Sequence, residues 1–165
     1  MPDYFIAKAG LATRIVAQTD NFLALPSVSP LARGHLLILP RSHIPSMTQL
    51  ASEKFDEFLA FAREHCRRIE ERLGSVLVFE HGVGRGEAGG CGVDHAHLHI
   101  LPLSPSSAER VRTVVNAGYP LRSPASFDLV RRNVPNGRSY LTLGTSIDQL
   151  SHAMSEAFRP SIYAQ

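Results

Sequence analysis

The sequence predicts an α+β fold in which an antiparallel sheet carries one long helix and additional C-terminal helices. Short apolar segments bounded by turn residues occupy residues 13–39, and similar segments occupy residues 75–101. Between these two groups, residues 52–73 change to a helical period. Strands on both sides of one helix, without regular strand–helix alternation, are typical of an antiparallel sheet.

The N-terminal part predicts three strands. Residues 13–17 and 22–25 alternate around a short polar turn, as in a hairpin. Prolines and a glycine make 26–34 a loop. The apolar segment 35–39 then predicts a short strand that ends at Pro40, since proline cannot donate to a strand ladder.

The longest predicted element is a helix over 52–73. Charged residues occupy one side of this segment, and apolar residues recur on the other at helical spacing: Phe55, Phe58, Leu59, Ala62, Cys66, Ile69 and Leu73. Ser52 is a suitable N-cap and Gly74 a suitable stop. A strand over 75–80 and a glycine-rich loop over 81–92 follow.

The segment 94–101 carries histidines at every second position. On a strand, His95, His97 and His99 would share one face, and the apolar residues between them would face a core. Imidazole acts as nucleophile, acid or base near neutral pH and is a common metal ligand. A strand that places three imidazoles together therefore predicts a functional site.

Beyond residue 103 the pattern predicts a helix over 108–116, a strand over 138–143 and a helix over 147–157. No internal repeat or linker divides the chain, so residues 1–165 are expected to form a single domain. His65 and His152 are expected to face solvent or to be incidental.

Composition limits the function class. The chain has 165 residues, of which 44% are hydrophobic, and a net charge of +2, which is too mild to require a nucleic-acid partner. Two cysteines imply no disulfide framework and favour a cytoplasmic location. A signal peptide and a membrane-spanning apolar run are both absent from the sequence, so no membrane partner is expected.

The histidine segment resembles the signature of the histidine triad (HIT) superfamily. A second block, residues 29–43, resembles the strand–loop–strand segment of that family, and the order of elements agrees over 13–103. The resemblance implies a HIT-like antiparallel sheet and a small-molecule nucleotide substrate. It also implies a homodimer, in which the helix over 52–73 could contribute the interface.

The same resemblance implies the catalytic roles. His97 matches the nucleophile of the family, and His95, His99 and His35 match the supporting positions. The implied activity is a nucleotide phosphohydrolase or phosphoramidase that cleaves a dinucleoside polyphosphate or a nucleoside phosphoramidate through a nucleotidyl-histidine. Relatives that transfer nucleotides tend to carry glutamine at the position of His99, so His99 favours the hydrolase branch.

Substrate-binding positions are also implied: Leu25, Ser27, Glu80, Gly90, Cys91, Gly92 and Val93. Some of them depart from the family pattern. Ser27 replaces an acidic or amide residue that contacts ribose, and Glu80 replaces an asparagine near the nucleotide. Cys91 and Gly92 replace residues whose side chains contact phosphates.

Other interpretations stay open at this stage. A nucleotidyltransferase or phosphorylase would pass the intermediate to phosphate or to a second substrate, and a regulatory module would bind nucleotide with weak turnover. Alternating histidines also suit Zn²⁺ or an inert strand. The zinc of some relatives needs an N-terminal Cys-x-x-Cys besides His43 and His95, and residues 3–8 contain no cysteine. No metal or other cofactor is therefore expected.

Overall fold

The computed structural model describes residues 12–84, 95–135 and 138–154. The strands in these ranges are β1 (Ala17–Gln18), β2 (Phe22–Pro26), β3 (Leu36–Pro40), β4 (Val76–Gly82), β5 (Leu98–Pro102), β6 (Arg122–Ala125), β7 (Tyr140–Ser146) and β8 (Gln149–Met154). The α-helices are α1 (Ser52–Leu73), α2 (Pro105–Gly118) and α3 (Phe127–Asn133). Single 3₁₀ turns occur at Ala12–Arg14 and Met47–Gln49.

The strands form one sheet in the order β1-β2-β3-β5-β4-β7-β8-β6, in which neighbours run antiparallel. The predicted α+β class with an antiparallel sheet is confirmed. Strand β5 lies inside the sheet, between β3 and β4, so its side chains are flanked by those of both neighbours. This central strand carries the third histidine of the motif.

Helix α1 covers one face of the sheet, and its bounds agree with the predicted 52–73. Its apolar side joins the largest buried cluster, which includes Phe55, Phe58, Ala62 and Cys66 from the helix and Val78, Leu98 and Ile100 from the sheet. Ala51, and not Ser52, is the N-cap. Gly74 ends the helix with a positive φ of 85°, which glycine adopts at little cost.

The opposite face of the sheet carries two apolar clusters. Helix α2 packs over one of them, where Ala108 joins Leu77, Leu101 and Leu143. The smaller cluster consists of side chains of the sheet itself, Leu23 and Leu25 on β2 and Leu39 on β3. His99 lies between its register partners Leu37 and Phe79. Leu37 packs with the smaller cluster, and Phe79 packs with the cluster under α2. The histidines therefore lie between two apolar patches.

The C-terminal prediction was partly wrong. The predicted strand is present as β7, but the predicted helix over 147–157 is replaced by β8 as far as the described residues extend. Strand β8 forms a hairpin with β7, and four of its six residues are buried. A strand that is buried on both faces lacks the alternating pattern by which a strand is recognised in sequence. Strand β6 and helix α3 were not predicted.

None of the described helices is long and apolar enough to cross a membrane.

Candidate active site

His35 and His99 form a hydrogen-bonded pair on the sheet face opposite α1. His99 pairs in register with Leu37. His35 lies two residues before Leu37, so both side chains are on the same side as His99. His35 Nε2 lies 2.9 Å from His99 Nδ1, and the ring centroids are 5.1 Å apart. Strand pairing thus joins two histidines that are 64 residues apart in the chain.

The hydrogen bonds assign the protons on these rings. The backbone N–H of Leu31 donates to His35 Nδ1 at 3.2 Å, so that nitrogen is an acceptor. In the neutral ring the proton is then on Nε2, which donates to His99 Nδ1. His99 must in turn carry its own proton on Nε2. Burial, together with the smaller effects of His97 and His35, lowers the pKa of His99 to about 3, so His99 stays neutral near pH 7.

His97 is oriented by the backbone of the motif. Its Nδ1 lies 2.7 Å from the carbonyl oxygen of His95 and donates to it, because a carbonyl only accepts. In the neutral ring this tautomer puts the lone pair on Nε2, the form that can attack an electrophile. The His97 ring lies edge-on to His99, with centroids 4.7 Å apart and planes inclined by 62°. The Nε2 lone pair of one imidazole and the neutral N–H donor of another therefore belong to adjacent rings.

His95 does not join His97 and His99 in the way that strand alternation predicted. Strand β5 begins only at Leu98, so His95 and His97 precede the regular ladder. The His95 ring donates from Nε2 to the carbonyl oxygen of Pro40 at 2.8 Å and lies 5.4 Å from the ring of His43. His95 therefore supports His97 through its backbone carbonyl, while its own ring anchors the segment.

Sequence reasoning missed Phe79. Its ring stacks on His99 with a centroid distance of 4.2 Å and an interplanar angle of 5°. Phe79 on β4 is the register partner of His99, so the two side chains extend from the same face. The stack holds the plane of the imidazole, and such contacts typically contribute about 0.5–1.5 kcal/mol. Its only signal in the sequence is an aromatic residue on the neighbouring predicted strand.

Leu25 and Ser27 lie at the end of β2 nearest to His35. Leu25 is buried in the small cluster with Leu39 and offers an apolar wall. The backbone N–H of Ser27 donates to the carbonyl oxygen of His35 at 3.1 Å, and its hydroxyl accepts from the N–H of Ser29 at 3.3 Å. Both residues are thus tied to the strand and loop that carry His35.

Glu80 lies elsewhere. It follows Phe79 on β4, so its side chain is on the α1 side of the sheet, and it has no exposed surface. The backbone N–H of Met47 and the hydroxyl of Tyr140 donate to its two carboxylate oxygens. This placement does not fit a direct nucleotide contact. The predicted binding positions Gly90, Cys91, Gly92 and Val93 lie outside the described residues.

Two other histidines are buried, contrary to the expectation that they face solvent. His65 on α1 is 7% exposed, and its Nδ1 donates to the carbonyl oxygen of Phe61. His152 on β8 is 3% exposed, and burial lowers its pKa, as does the nearby Arg122. The edge strand β6, which the sequence pattern did not predict, pairs with β8 and places Arg122 opposite His152.

The geometry also bears on the zinc interpretation. His35 and His99 use Nε2 and Nδ1 to bond each other, so these two nitrogens are not both directed at a shared ion. Across 12–84, 95–135 and 138–154, no group of three or more His, Cys, Asp or Glu side chains is arranged to hold a metal. The absence of a cofactor stays a prediction.

Comparison with known protein families gives a match to the HIT domain over residues 9–106. Several curated relatives have named activities. The bis(5'-adenosyl)-triphosphatase of Dictyostelium discoideum is 26% identical over 117 residues, which are 70% of this chain and 77% of the relative. The adenosine 5'-monophosphoramidase of Schizosaccharomyces pombe is 28% identical over 97 residues, 59% of this chain and 69% of the relative.

Among solved structures, a hypothetical histidine triad nucleotide-binding protein from Sulfolobus tokodaii superposes with a TM-score of 0.50 at 20% identity. The superposition covers 61% of this chain and 66% of that protein. At this identity the likeness concerns the fold. The family match spans more than half of the sequence and contains His35, His97 and His99, and on this basis the chain belongs to the HIT domain family.

Proposed function

We propose that this chain is a nucleotide hydrolase that cleaves a phosphoanhydride or phosphoramidate bond through a nucleotidyl-histidine on His97. The observation that carries the proposal is the hydrogen bond from His97 Nδ1 to the carbonyl oxygen of His95, which puts the lone pair on Nε2. The assigned activities of the two curated relatives, a triphosphatase and a phosphoramidase, support the substrate class.

In the first step, His97 Nε2 attacks the α-phosphorus and forms a P–N bond while the bond from phosphorus to the leaving group breaks. His99 Nε2–H lies beside the attacking ring and donates to a phosphate oxygen or to the leaving group. In the second step, water attacks phosphorus, forms a P–O bond and loses a proton to the solvent, while the P–N bond breaks, its electron pair returns to His97 and the nucleoside monophosphate is released. Two displacements replace one difficult attack by water.

The proposal assigns substrate contacts to Leu25, Ser27 and the segment 90–93. Leu25 supplies an apolar surface, and Ser27 lies against the backbone of His35. A single hydroxyl at Ser27 makes a weaker ribose anchor than a carboxylate would. Glu80 is not among the proposed direct contacts, because its carboxylate is buried on the other side of the sheet.

Intact-protein mass spectrometry after brief mixing tests the intermediate. The substrates are diadenosine triphosphate and adenosine phosphoramidate, and the variants are His97→Ala and His99→Ala. We expect a nucleotidyl adduct and turnover that both require His97. A matched control is His65→Gln, since His65 lies on α1, away from the site. Equal turnover by the wild type and by His97→Ala would refute the proposal.

The acceptor is identified by running the reaction in H₂¹⁸O with added inorganic phosphate. A hydrolase incorporates one ¹⁸O atom into the nucleoside monophosphate. A phosphorylase instead yields a nucleoside diphosphate in which phosphate is the acceptor. Tight nucleotide binding with no His97-dependent turnover would identify a regulatory module. Product analysis together with a binding measurement therefore separates the three functions.

The homodimer and the cytoplasmic location are part of the same proposal. Light scattering coupled to gel filtration measures whether the particle has twice the mass of one chain. Cell fractionation measures where the protein accumulates.

A further inference from the structure

A buried carboxylate lies behind the histidine site, on the α1 side of the sheet. Glu80 has no exposed surface, and its Oε1 accepts a hydrogen bond of 2.7 Å from the backbone N–H of Met47. Its Oε2 accepts from the hydroxyl of Tyr140, which is also fully buried. Burying a carboxylate is expensive, so the fold retains this group at a cost in free energy. The proposed chemistry does not use it directly.

Tyr140 holds Thr48, the residue that follows Met47, by a second hydrogen bond to the backbone. The hydroxyl that donates to Glu80 also accepts from the backbone N–H of Thr48 at 3.3 Å. The ring lies over Gly82, its register partner, where a Cβ atom would overlap the ring carbons. The tyrosine is therefore confined, and together with Glu80 it holds two consecutive backbone N–H groups.

These two N–H groups belong to the segment 40–48, which runs from the end of β3 toward α1. The carbonyl oxygen of Pro40 accepts from His95 Nε2 at 2.8 Å. The carbonyl oxygen of Ile44 accepts from the backbone N–H of Ala96 at 2.7 Å. Residues 95 and 96 precede β5, so these bonds substitute for the sheet ladder that holds the rest of the motif.

The connection ends at the nucleophile. The carbonyl oxygen of His95 accepts from His97 Nδ1, and its position sets both the tautomer and the direction of the His97 ring. Hydrogen bonds therefore connect Glu80 to the segment 40–48, and this segment to His95 and Ala96. A further hydrogen bond connects His95 to His97. A displacement of about 1 Å in a nucleophile can cost about 100-fold in rate.

We propose that Glu80 is a positioning residue for His97, which it orients by holding the segment 40–48 under the histidine motif. The inference rests on the proposed function only for its effect on rate, because the orientation of His97 is a property of the free protein. Glu80 touches neither the substrate nor the His97 ring in this role.

A carboxylate suits this position better than an amide of the same shape. Both neighbours, Met47 N–H and Tyr140 O–H, point donors at Glu80, and above pH 7, where the carboxylate is ionised, it accepts from both. A glutamine has only one oxygen, so if that oxygen accepts from Met47 its NH₂ group must donate to the Tyr140 oxygen. Glu80→Gln therefore reverses the bond to Tyr140 with almost no change in volume and takes away the acceptor of the tyrosine proton, and Tyr140→Phe removes the hydroxyl altogether.

The test measures His97 in the protein without substrate. Long-range ¹H–¹⁵N spectra report the tautomer of each imidazole, and amide hydrogen exchange reports the bond from Ala96 N–H to Ile44. In Glu80→Gln and Tyr140→Phe we expect a mixed His97 tautomer and faster exchange at Ala96, with exchange at Ile100 unchanged. We also expect kcat to fall by about 10- to 100-fold, with KM changed less than about threefold.

Val115→Ala is the matched control, because it removes packing between α2 and the sheet in a cluster that contains no residue of the segment 40–48. It should lower the melting temperature and leave the His97 tautomer as in the wild type. Unchanged His97 spectra and Ala96 exchange in both variants would overturn the inference. A changed tautomer in a protein whose turnover does not require His97 would retain the positioning role and reject the proposed function.

Discussion

His35 donates a hydrogen bond to His99 across two neighbouring strands, and this bond decides which nitrogen of His99 carries the proton. The Leu31 N–H makes Nδ1 of His35 an acceptor, so the His35 proton is on Nε2 and the His99 proton is on its own Nε2. We call this arrangement of protons on the two rings the proton order. His99 presents an N–H group beside His97. A donor whose proton is fixed in advance needs no reorganisation when charge develops on phosphate.

Removal of the His35 ring should disorder this arrangement. In His35→Ala, His99 Nδ1 loses its donor, so we expect the tautomer of His99 to become mixed and kcat to fall by about 10- to 100-fold. Imidazole ¹⁵N shifts measure the tautomer, and steady-state kinetics measure the rate. His35→Gln should recover part of the rate, since its amide can donate to the same nitrogen. An unchanged His99 tautomer in His35→Ala would contradict the proton order.

His99 should remain neutral in mildly acidic solution. Its pKa is lowered from 6.5 to about 3, first by burial and then by His97 and His35. A lowered folded-state pKa contributes stability that is present above pH 6.5 and lost as pH falls toward 3. We expect urea unfolding to show a larger loss between pH 7.5 and 4.5 for the wild type than for His99→Gln. Identical losses would contradict the lowered pKa.

Glu80 should act on stability in the opposite direction. Burial raises its pKa from 4.5 to about 7, although the bonds from Tyr140 and Met47 act to lower it. A raised folded-state pKa contributes stability that is full below pH 4.5 and is lost as pH rises through 7, by up to about 3 kcal/mol. Glu80→Gln should remove this loss when the free energy of unfolding is measured between pH 5 and 8. A loss of the same size in the variant would assign it to another group.

The contact between Gly82 and Tyr140 predicts that the methyl group added by Gly82→Ala lowers the stability of the protein. A Cβ at Gly82 would overlap the ring of Tyr140, which Glu80 and the surrounding core hold in place. Gly82→Ala should therefore lower the free energy of unfolding by about 1–3 kcal/mol. It should also shift the His97 spectrum as Tyr140→Phe does. In the control Gly118→Ala the added Cβ meets no atom within 4 Å. Equal stabilities of the two alanine variants would refute the predicted overlap.

The local sequence pattern was sufficient to predict the type and the bounds of a long element that buries one face. The 22 residues of α1 repeat their apolar positions six turns in succession, and the structure gives the predicted bounds. Strand β8 shows the limit of the same reasoning, because four consecutive residues of this strand are buried and so show no alternation between its two faces. Its apolar residues also satisfied a helical spacing, and strand pairing decided between the two.

The candidate site divides in the same way. The spacing of His95, His97 and His99 marks the site and its family, because imidazoles at that spacing have few structural uses. The proton order in the rings, the stack of Phe79 on His99 and the burial of Glu80 all depend on contacts between strands that are far apart in the chain. A single sequence records residue types and local periodicity, whereas such contacts arise from register and packing. The family and the candidate residues were therefore predictable from the sequence, because they depend on residue types and spacing, whereas the geometry of the site was decided by the tertiary structure.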